Sequence, residues 1–218
     1  MTSGPVSLPE LLINGPSRPA YTIVLAHGAG APMDSDFMNA FAGGLANRGL
    51  RIVRFEFPYM AARRNSDTRR PPDRAPILLA VWQRVIDALG AKRLVIGGKS
   101  MGGRIASQVA DDAGVSGFVC LGYPFHPPGK PDRLRTEHLE VIQTRTLIVQ
   151  GERDALGKKK KVSGYELSRA IEMRWLPDGD HSFKPRKTSG RTIEDNWQAG
   201  VQAVDAFVQS LPVGTRRQ

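Results

Sequence analysis

The sequence predicts an α/β fold, a three-layer α/β/α sandwich around a mostly parallel sheet. Two observations predict it. Segments with strand character alternate along the chain with segments whose apolar residues recur at helical spacing. Several strand segments, such as YTIVLA at 21–26 and TLIVQ at 146–150, are apolar from end to end. Strands of this kind have both faces covered, as in a parallel sheet between two layers of helices.

The first part of the chain predicts two strands and one helix. Strand 21–26 runs into His-Gly-Ala-Gly, which is typical of a buried strand that enters a tight loop. Residues 36–48 have apolar positions at helical spacing and end at Arg-Gly, a common helix terminus. Segment 50–57 is rich in β-forming residues and ends at Pro58, and residues 59–76 are expected to form a polar loop.

The same alternation continues to the C-terminus. Each helix is predicted from apolar residues on one face, and each strand from a short apolar run. The predicted helices are 75–89, 100–113, a short helix that includes 165–170, and 192–211, and the predicted strands are 93–96, 115–122, 146–150 and 171–176. No internal repeat or long linker interrupts the pattern, so we expect a single domain over 1–218 with its core at about 20–211.

Composition excludes several classes of protein. A chain of 218 residues with 40% hydrophobic content has room for one core rather than two. Its one cysteine, Cys120, allows neither an intramolecular disulfide nor a cysteine metal cage, and we expect it to lie in the core. The first 20 residues lack a signal-peptide pattern, and no stretch approaches the roughly 18 apolar residues of a membrane span. The sequence therefore predicts a cytoplasmic protein with no membrane partner.

The chain is basic, with 31 Lys and Arg against 21 acidic residues and a net charge of +10. Nucleic-acid binding requires such charges on one face, interleaved with aromatic residues. Here they lie in separate loops with no aromatic between them, which favours solvated loops over a nucleic-acid partner, while attraction of an anionic substrate stays open. The basic clusters are Arg63, Arg64, Arg69, Arg70 and Arg74; Lys158–Lys161; and Arg216 with Arg217.

Two motifs overlap in LVIGGKSMGG at 94–103. A phosphate-binding loop requires G-x-x-x-x-G-K-[ST], but Arg93 occupies its first glycine position and a strand fills the interval. G-x-S-x-G fits instead, with a strand, a sharp turn over Gly98–Gly102 and then a helix. The flanking glycines let strand and helix approach closely around a serine at strained dihedral angles. Ser100 is therefore the candidate nucleophile.

A serine hydroxyl is a poor nucleophile until a base removes its proton. In this architecture an acid and then a histidine follow the serine, each in a loop after a later strand. Asp154 follows strand 146–150 and His181 follows strand 171–176, at the carboxyl ends where open α/β sheets place their sites. The order and the positions predict a triad of Ser100, Asp154 and His181.

The acid has alternatives. Glu152 lies closer to its strand than Asp154 and could replace it, whereas Asp180 is adjacent to His181 and suits a structural turn. Asp178, in Pro-Asp-Gly, is also expected to be a turn residue. The remaining histidines fit the base less well: His27 precedes the serine, His126 lies in a Pro-rich loop, and His138 lies in a helix-like stretch.

Stabilising the negative charge of an acyl-transfer transition state requires two backbone N–H donors. One is expected from Met101, which follows the nucleophile. The other is expected from Ala29, in the His-Gly-Ala-Gly loop after the first core strand. Acyl transfer by the triad and these two donors needs neither a metal nor an organic cofactor. The sequence contains no H-E-x-x-H, paired cysteines or dinucleotide fingerprint that would hold one.

Four of these motifs resemble those of the α/β-hydrolase superfamily: HGAG (27–30), GKSMGG (98–103), GERDALG (151–157) and GDHSF (179–183). Segment LGYPFHPPGKPDRLRTEHL resembles a small dienelactone-hydrolase-like branch, with relatives among testis-expressed proteins and a chromatin-complex subunit. The resemblance implies an α/β-hydrolase fold and the triad Ser100, Asp154 and His181, but no substrate. True dienelactone hydrolases have a cysteine at the position of Ser100. In this superfamily, cap domains commonly enter between the strand near Cys120 and the strand near Leu147. Here that interval is only about 123–145, which is too short for a substantial lid.

The sequence therefore predicts a serine esterase that acts through an acyl-enzyme intermediate. An open site suits short-acyl esters or extended polyester chains, so the expected partner is a small or polymeric ester. The alternative is an α/β-hydrolase-fold scaffold without turnover. An electrostatic binder of nucleic acid or membrane would rest on the net charge alone.

Overall fold

The computed structural model describes residues 7–64 and 70–212, and its centre is a seven-stranded sheet. The strands are β1 (Leu11–Asn14), β2 (Thr22–Ala26), β3 (Arg51–Phe55), β4 (Leu94–Lys99), β5 (Gly117–Leu121), β6 (Thr146–Gly151) and β7 (Ile171–Leu176). Their order across the sheet is β1-β3-β2-β4-β5-β6-β7. Only the pairing of β1 with β3 is antiparallel among these described strands.

Helices cover both faces of the sheet. They are α1 (Asp36–Ala46), α2 (Pro58–Arg64), α3 (Ala75–Leu89), α4 (Met101–Ser107), α5 (Ala110–Ala113), α6 (Lys159–Val162) and α7 (Ile193–Gln209). The core side chains of α1 and α7 pack in one cluster on one face, and those of α3 and α4 pack in a second cluster on the other. None of the described helices is long and apolar enough to cross a membrane.

The two clusters explain why the central strands are apolar throughout. Successive side chains of a strand point to opposite faces of the sheet. In β2, Ile23 and Leu25 pack with α1 and α7, while Val24 and Ala26 pack in the other cluster, and all four are fully buried. The predicted three-layer sandwich with a mostly parallel sheet is confirmed. Strand β1 was not predicted from the sequence; it has only four residues, and their side chains are partly buried or exposed.

The polar loop predicted from residue 59 is wrong over its first residues, because Pro58–Arg64 forms α2. Proline suits the first turn of a helix, since its fixed φ is already helical. Burial of Tyr59 and Met60 stabilises the helix further, at 3% and 4% exposure. Arg69, Arg216 and Arg217 of the basic clusters lie outside the described residues.

The short helix predicted to include 165–170 is also wrong, and the nearest helix is α6. The backbone of this segment bonds in part to another loop. Ser168 donates its N–H to the carbonyl of Leu139 and its hydroxyl to that of Ile142. The ring of Tyr165 packs against Phe125, with centroids 5.7 Å apart. The apolar pattern of segment 165–170 therefore reflects tertiary packing rather than helical periodicity.

The helix predicted over 100–113 is divided into α4 and α5. Ser107, at the end of α4, donates its hydroxyl to the carbonyl of Arg104 at 2.8 Å. Such a side-chain bond competes with the backbone ladder and bends helices. The predicted strand 93–96 is longer than expected, because β4 continues to Lys99 by pairing with β5.

The loop after β2 is held by the buried imidazole of His27. The backbone N–H of Phe57 donates to His27 Nε2 at 3.1 Å, so Nδ1 carries the proton and donates to the carbonyl of Gly28 at 2.6 Å. Burial lowers the pKa of His27 below the ordinary 6.5, and the bond to Gly28 offsets part of this shift. The neutral ring therefore fixes where the glycine loop leaves the sheet.

Helix α7 begins with a capping box. Thr192 Oγ1 accepts from the backbone N–H of Asp195 at 3.1 Å, and the Asp195 carboxylate accepts from that of Thr192 at 2.8 Å. Two N–H groups at the helix N-terminus thus gain acceptors. The cap matters for the site because Asn196 and Trp197 lie in the turn that follows.

Removing this cap should destabilise the protein. Thr192→Ala is expected to lower the free energy of unfolding by about 1 kcal/mol, because an N–H of the first turn loses its acceptor. Ser35→Ala is the matched control, since Ser35 is the N-cap of α1 and makes no side-chain cap bond. Chemical denaturation measures both. Equal losses from the two variants would contradict the assigned cap.

The buried His27 predicts a pH dependence of stability. Its folded pKa is lowered, so as the pH falls below about 6.5 the unfolded chain binds a proton that the folded chain does not. The free energy of unfolding should therefore fall from pH 7 to pH 5, by up to about 1.4 kcal/mol per pH unit. The pKa of His138 is also lowered by burial, so the measurement uses a His138→Gln background. Adding His27→Gln should flatten the profile; an unchanged slope would contradict this account.

Candidate active site

Three parallel strands deliver the predicted triad residues to one edge of the sheet. Ser100 directly follows β4, Asp154 follows β6 by three residues, and His181 follows β7 by five. Because the carboxyl ends of parallel strands meet at one edge, the three loops converge there. The structure therefore brings together residues that are 81 and 27 positions apart in the chain.

Ser100 occupies a strained turn between β4 and α4, with φ 50° and ψ −112°. A positive φ at a non-glycine residue costs on the order of 1–3 kcal/mol and requires support from its surroundings. That support is close backbone packing. A Cβ at Gly98 would lie 2.2 Å from the carbonyl oxygen of Ala26, and one at Gly102 would lie 2.5 Å from that of His27. Since β4 extends to Lys99, the turn is sharper than the predicted five-residue elbow.

His181 lies between the serine and the acid. Its Nε2 is 2.8 Å from Ser100 Oγ, and its Nδ1 is 2.7 Å from Asp154 Oδ2. A carboxylate only accepts, so Nδ1 carries the ring proton and donates to Asp154. Nε2 is then unprotonated and accepts from the Ser100 hydroxyl, which is the arrangement that a general base requires.

The acid is fixed by its own hydrogen bonds. Asp154 is fully buried, and its Oδ1 accepts from the backbone N–H of Leu156 at 2.8 Å. Gln150 Nε2 donates to Oδ2 at 2.8 Å, while Gln150 Oε1 accepts from the backbone N–H of Tyr123 at 2.7 Å. The sequence analysis did not single out Gln150. Its position could have indicated a role, because Gln150 is the one polar residue at the end of the apolar run LIVQ.

The alternative acids have other partners. Glu152 pairs with Lys159 at 2.8 Å, and this hydrogen bond is the main cause that lowers the pKa of Glu152. Asp180 Oδ1 accepts from the backbone N–H groups of Ser182 and Lys184 at 2.8 and 2.9 Å, which closes the turn that carries His181. Only Asp154 among these three carboxylates has a hydrogen bond to the imidazole in the described structure.

A second serine–histidine contact lies outside this site. His138 Nε2 is 2.8 Å from Ser107 Oγ, but the Ser107 hydroxyl already donates to the carbonyl of Arg104. The histidine must therefore donate to Ser107 and cannot act as its base. His126 contacts the carbonyl of Pro127 at 2.9 Å in its loop.

The loop that carries His181 is held by hydrogen bonds to three consecutive main-chain carbonyls. The carbonyl of His181 accepts from Lys99 Nζ. That of Ser182 accepts from the indole N–H of Trp197 at 3.1 Å, and that of Phe183 accepts from Asn196 Nδ2 at 2.8 Å. Trp197 and Asn196 belong to α7. Neither Asn196 nor Lys99 was predicted in this role, because Asn196 lies outside the triad motifs and Lys99 occupies the variable position of G-x-S-x-G.

The glycine loop after β2 borders the cavity above Ser100. The carbonyl of Gly28 accepts from His27 and from the hydroxyl of Tyr59. In a trans peptide the C=O and N–H groups point in opposite directions, so the N–H of Ala29 points away from Tyr59. Ala29 lines the cavity above Ser100. Met101 is the first residue of α4, and its N–H therefore has no acceptor within the helix.

The cavity over Ser100 has a volume of about 610 Å³. Lys99, Ser100 and His181 line it, and so do Phe37 and Trp197, an aromatic pair with ring centroids 5.7 Å apart. The His181 side chain is 31% exposed. Residues 122–145 contribute no large cap; between β5 and β6 the described chain has a single 3-10 turn at Glu137–Leu139. The site is thus open to solvent.

Solved structures with this architecture include serine hydrolases. A protein from Xanthomonas campestris, described as an α/β serine hydrolase without a lid, is 18% identical, with 93% of this chain and 89% of that chain covered and a TM-score of 0.68. An α/β serine hydrolase homologue from Coxiella burnetii is 17% identical, with 90% and 89% covered and a TM-score of 0.67. An esterase domain from Rhodothermus marinus is 16% identical, with 94% and 92% covered and a TM-score of 0.61.

These likenesses concern the fold, and membership of a family rests on the sequence. A family model described as an alpha/beta hydrolase domain matches residues 19–209, nearly the whole chain. The superfamily resemblance predicted from HGAG, GKSMGG, GERDALG and GDHSF is thereby confirmed. The chain belongs to the alpha/beta hydrolase domain family.

Proposed function

We propose that the protein is a serine esterase that cleaves carboxylic esters through an acyl-enzyme intermediate. One observation carries the proposal: the unbroken contact from Asp154 through His181 to Ser100, with distances of 2.7 and 2.8 Å. Membership of a hydrolase family supports it, and so do the described activities of the lidless serine hydrolase and of the esterase domain.

The first half of the reaction acylates Ser100. Its Oγ forms a bond to the ester carbonyl carbon while its proton passes to His181 Nε2. The carbonyl π electrons move to oxygen, which gives a tetrahedral oxyanion. When the oxyanion collapses, the bond to the leaving oxygen breaks and Nε2 returns its proton to that oxygen. Asp154 stays ionised and stabilises the imidazolium through Nδ1.

Water then repeats the sequence on the acyl-enzyme. His181 Nε2 takes a proton from the water, and the hydroxide oxygen bonds to the acyl carbon. Collapse of this second oxyanion releases the carboxylic acid and returns the proton to Ser100 Oγ. We propose that the N–H groups of Ala29 and Met101 bind both oxyanions, a role supported by the orientation of the glycine loop and by the helix N-terminus.

The open site favours short or extended substrates over long single acyl chains. A long chain gains affinity only where walls enclose it, and little chain is available between β5 and β6 to form such walls. We propose small esters, and polyester chains that can lie across the opening, as substrate partners. The serine, histidine, acid and two N–H donors suffice for this chemistry, so the proposal includes no metal or organic cofactor.

The substrate proposal predicts a chain-length profile. In a p-nitrophenyl ester series, kcat/KM should be highest on acetate or butyrate and fall with longer chains, and excess EDTA should leave it unchanged. Ser100→Ala should remove the enzymatic turnover, because no nucleophile remains. No turnover of any activated ester by the folded wild-type protein would favour the scaffold without activity, and activity that survives Ser100→Ala would contradict the mechanism.

The assignment of the acid predicts an order of effects. Asp154→Asn should lower kcat by up to about 10⁴-fold, because the amide favours the wrong histidine tautomer. Glu152→Gln and Asp180→Asn are the matched controls, and both should keep kcat within about tenfold, since their side chains hold loops rather than the imidazole. Steady-state kinetics on one short ester measures all three. A larger loss in either control than in Asp154→Asn would identify the wrong acid.

A further inference from the structure

Lys99 directly precedes Ser100, and its side chain extends beneath the loop that carries His181. Its stem lines the cavity beside Gly28. Its Nζ donates to the main-chain carbonyl of His181. The ammonium also lies 5.1 Å from the ring centroid of Phe37 and 5.5 Å from that of Phe183, at distances where cation–π attraction operates. The side chain therefore joins the nucleophile strand to the histidine loop.

A glycine at the end of β5 leaves the space that this contact occupies. A Cβ at Gly122 would lie 2.8 Å from Lys99 Nζ and 3.2 Å from the carbonyl oxygen of His181. Gly122 follows β5 and has φ +76°, a conformation that favours glycine. The end of β5 is thus shaped around the lysine–carbonyl pair.

The ammonium is held without an ion pair. In the described part of the chain its neighbours are a carbonyl and two rings, with no carboxylate within ion-pair distance. Burial is the main cause that lowers the pKa of Lys99 to about 8; Asp154, Cys120 and Asp180 act in the opposite direction. The side chain is partly buried, and withdrawing part of the ammonium from water without an ion pair does not favour folding. Stability alone does not explain why a lysine occupies this position.

We propose that Lys99 is a positioning residue, whose bond to the His181 carbonyl holds the imidazole at its hydrogen-bonding distance from Ser100. Trp197 and Asn196 hold the next two carbonyls from α7, so they fix the loop relative to the body of the protein. Lys99 fixes it relative to the nucleophile itself. The inference rests on the proposed esterase function, because it concerns the alignment of Nε2 with Oγ.

The first test replaces the charge and keeps the shape of the stem. Lys99→Met should lower kcat on a short ester by about 10- to 100-fold, with KM within twofold, because a misplaced base slows the chemical step. The melting temperature at pH 7 should be unchanged or higher, since a partly buried charge without an ion pair is removed. A merely structural lysine would lower the melting temperature instead. Lys92→Met, at an exposed lysine, is the control and should keep wild-type values.

The second test uses pH. In the wild-type enzyme kcat should fall as the pH rises through about 8, because Lys99 loses its charge there and a neutral amine donates a weaker bond. Lys99→Arg keeps a charged donor, so it should retain more activity than Lys99→Met and shift the decline to higher pH. Lys99→Met should show no such decline.

The outcomes separate this inference from the proposed function. A wild-type protein that hydrolyses no ester refutes the esterase function itself. An active wild type overturns the role of Lys99 if Lys99→Met keeps kcat within twofold of it. A loss of kcat with a matching loss of melting temperature also overturns that role, and so does an alkaline decline that persists in Lys99→Met.

Discussion

The strained backbone at Ser100 is the constraint on which the rest of the site depends. A positive φ at this residue turns the chain from β4 into α4 within a single position, and so projects Oγ from the edge of the sheet. The turn persists because Gly98 and Gly102 allow backbone to pack against backbone, where a Cβ would overlap the carbonyl oxygens of Ala26 and His27. The strained turn is thus supported by close backbone packing of β4 and α4 against the end of β2 and the residue that follows it.

The groups around the serine are likewise each held by more than one contact. Asp154 is fixed by a glutamine from its own strand and by a backbone N–H, and the His181 loop is fixed through successive carbonyls. The glycine loop is oriented by a buried neutral histidine. Each of these groups therefore has a supporting bond from an element of the core. This arrangement allows an open cavity, because alignment does not depend on a lid.

The sequence predicted the site residues whose positions follow from local sequence patterns, and not those whose roles depend on tertiary contacts. Ser100, Asp154 and His181 could be placed because each follows an apolar strand within a few residues, and parallel strands end at one edge. The supports were harder to predict. Gln150 follows the apolar residues of its strand, Asn196 lies within a helix, and Lys99 occupies the variable position of G-x-S-x-G, so their partners are set only by tertiary contacts. Tertiary packing likewise explains why 165–170 resembled a helix without forming one.

The central claim is that Ser100 is activated by the histidine and the buried carboxylate, and covalent labelling tests it most directly. The wild-type protein is treated with a fluorophosphonate and examined by intact-mass spectrometry, in parallel with Ser100→Ala. The account predicts a single adduct on the wild type, located by peptide mapping at Ser100, and none on the variant. An adduct of the same mass on Ser100→Ala, or an unlabelled wild-type protein that is folded, would contradict it.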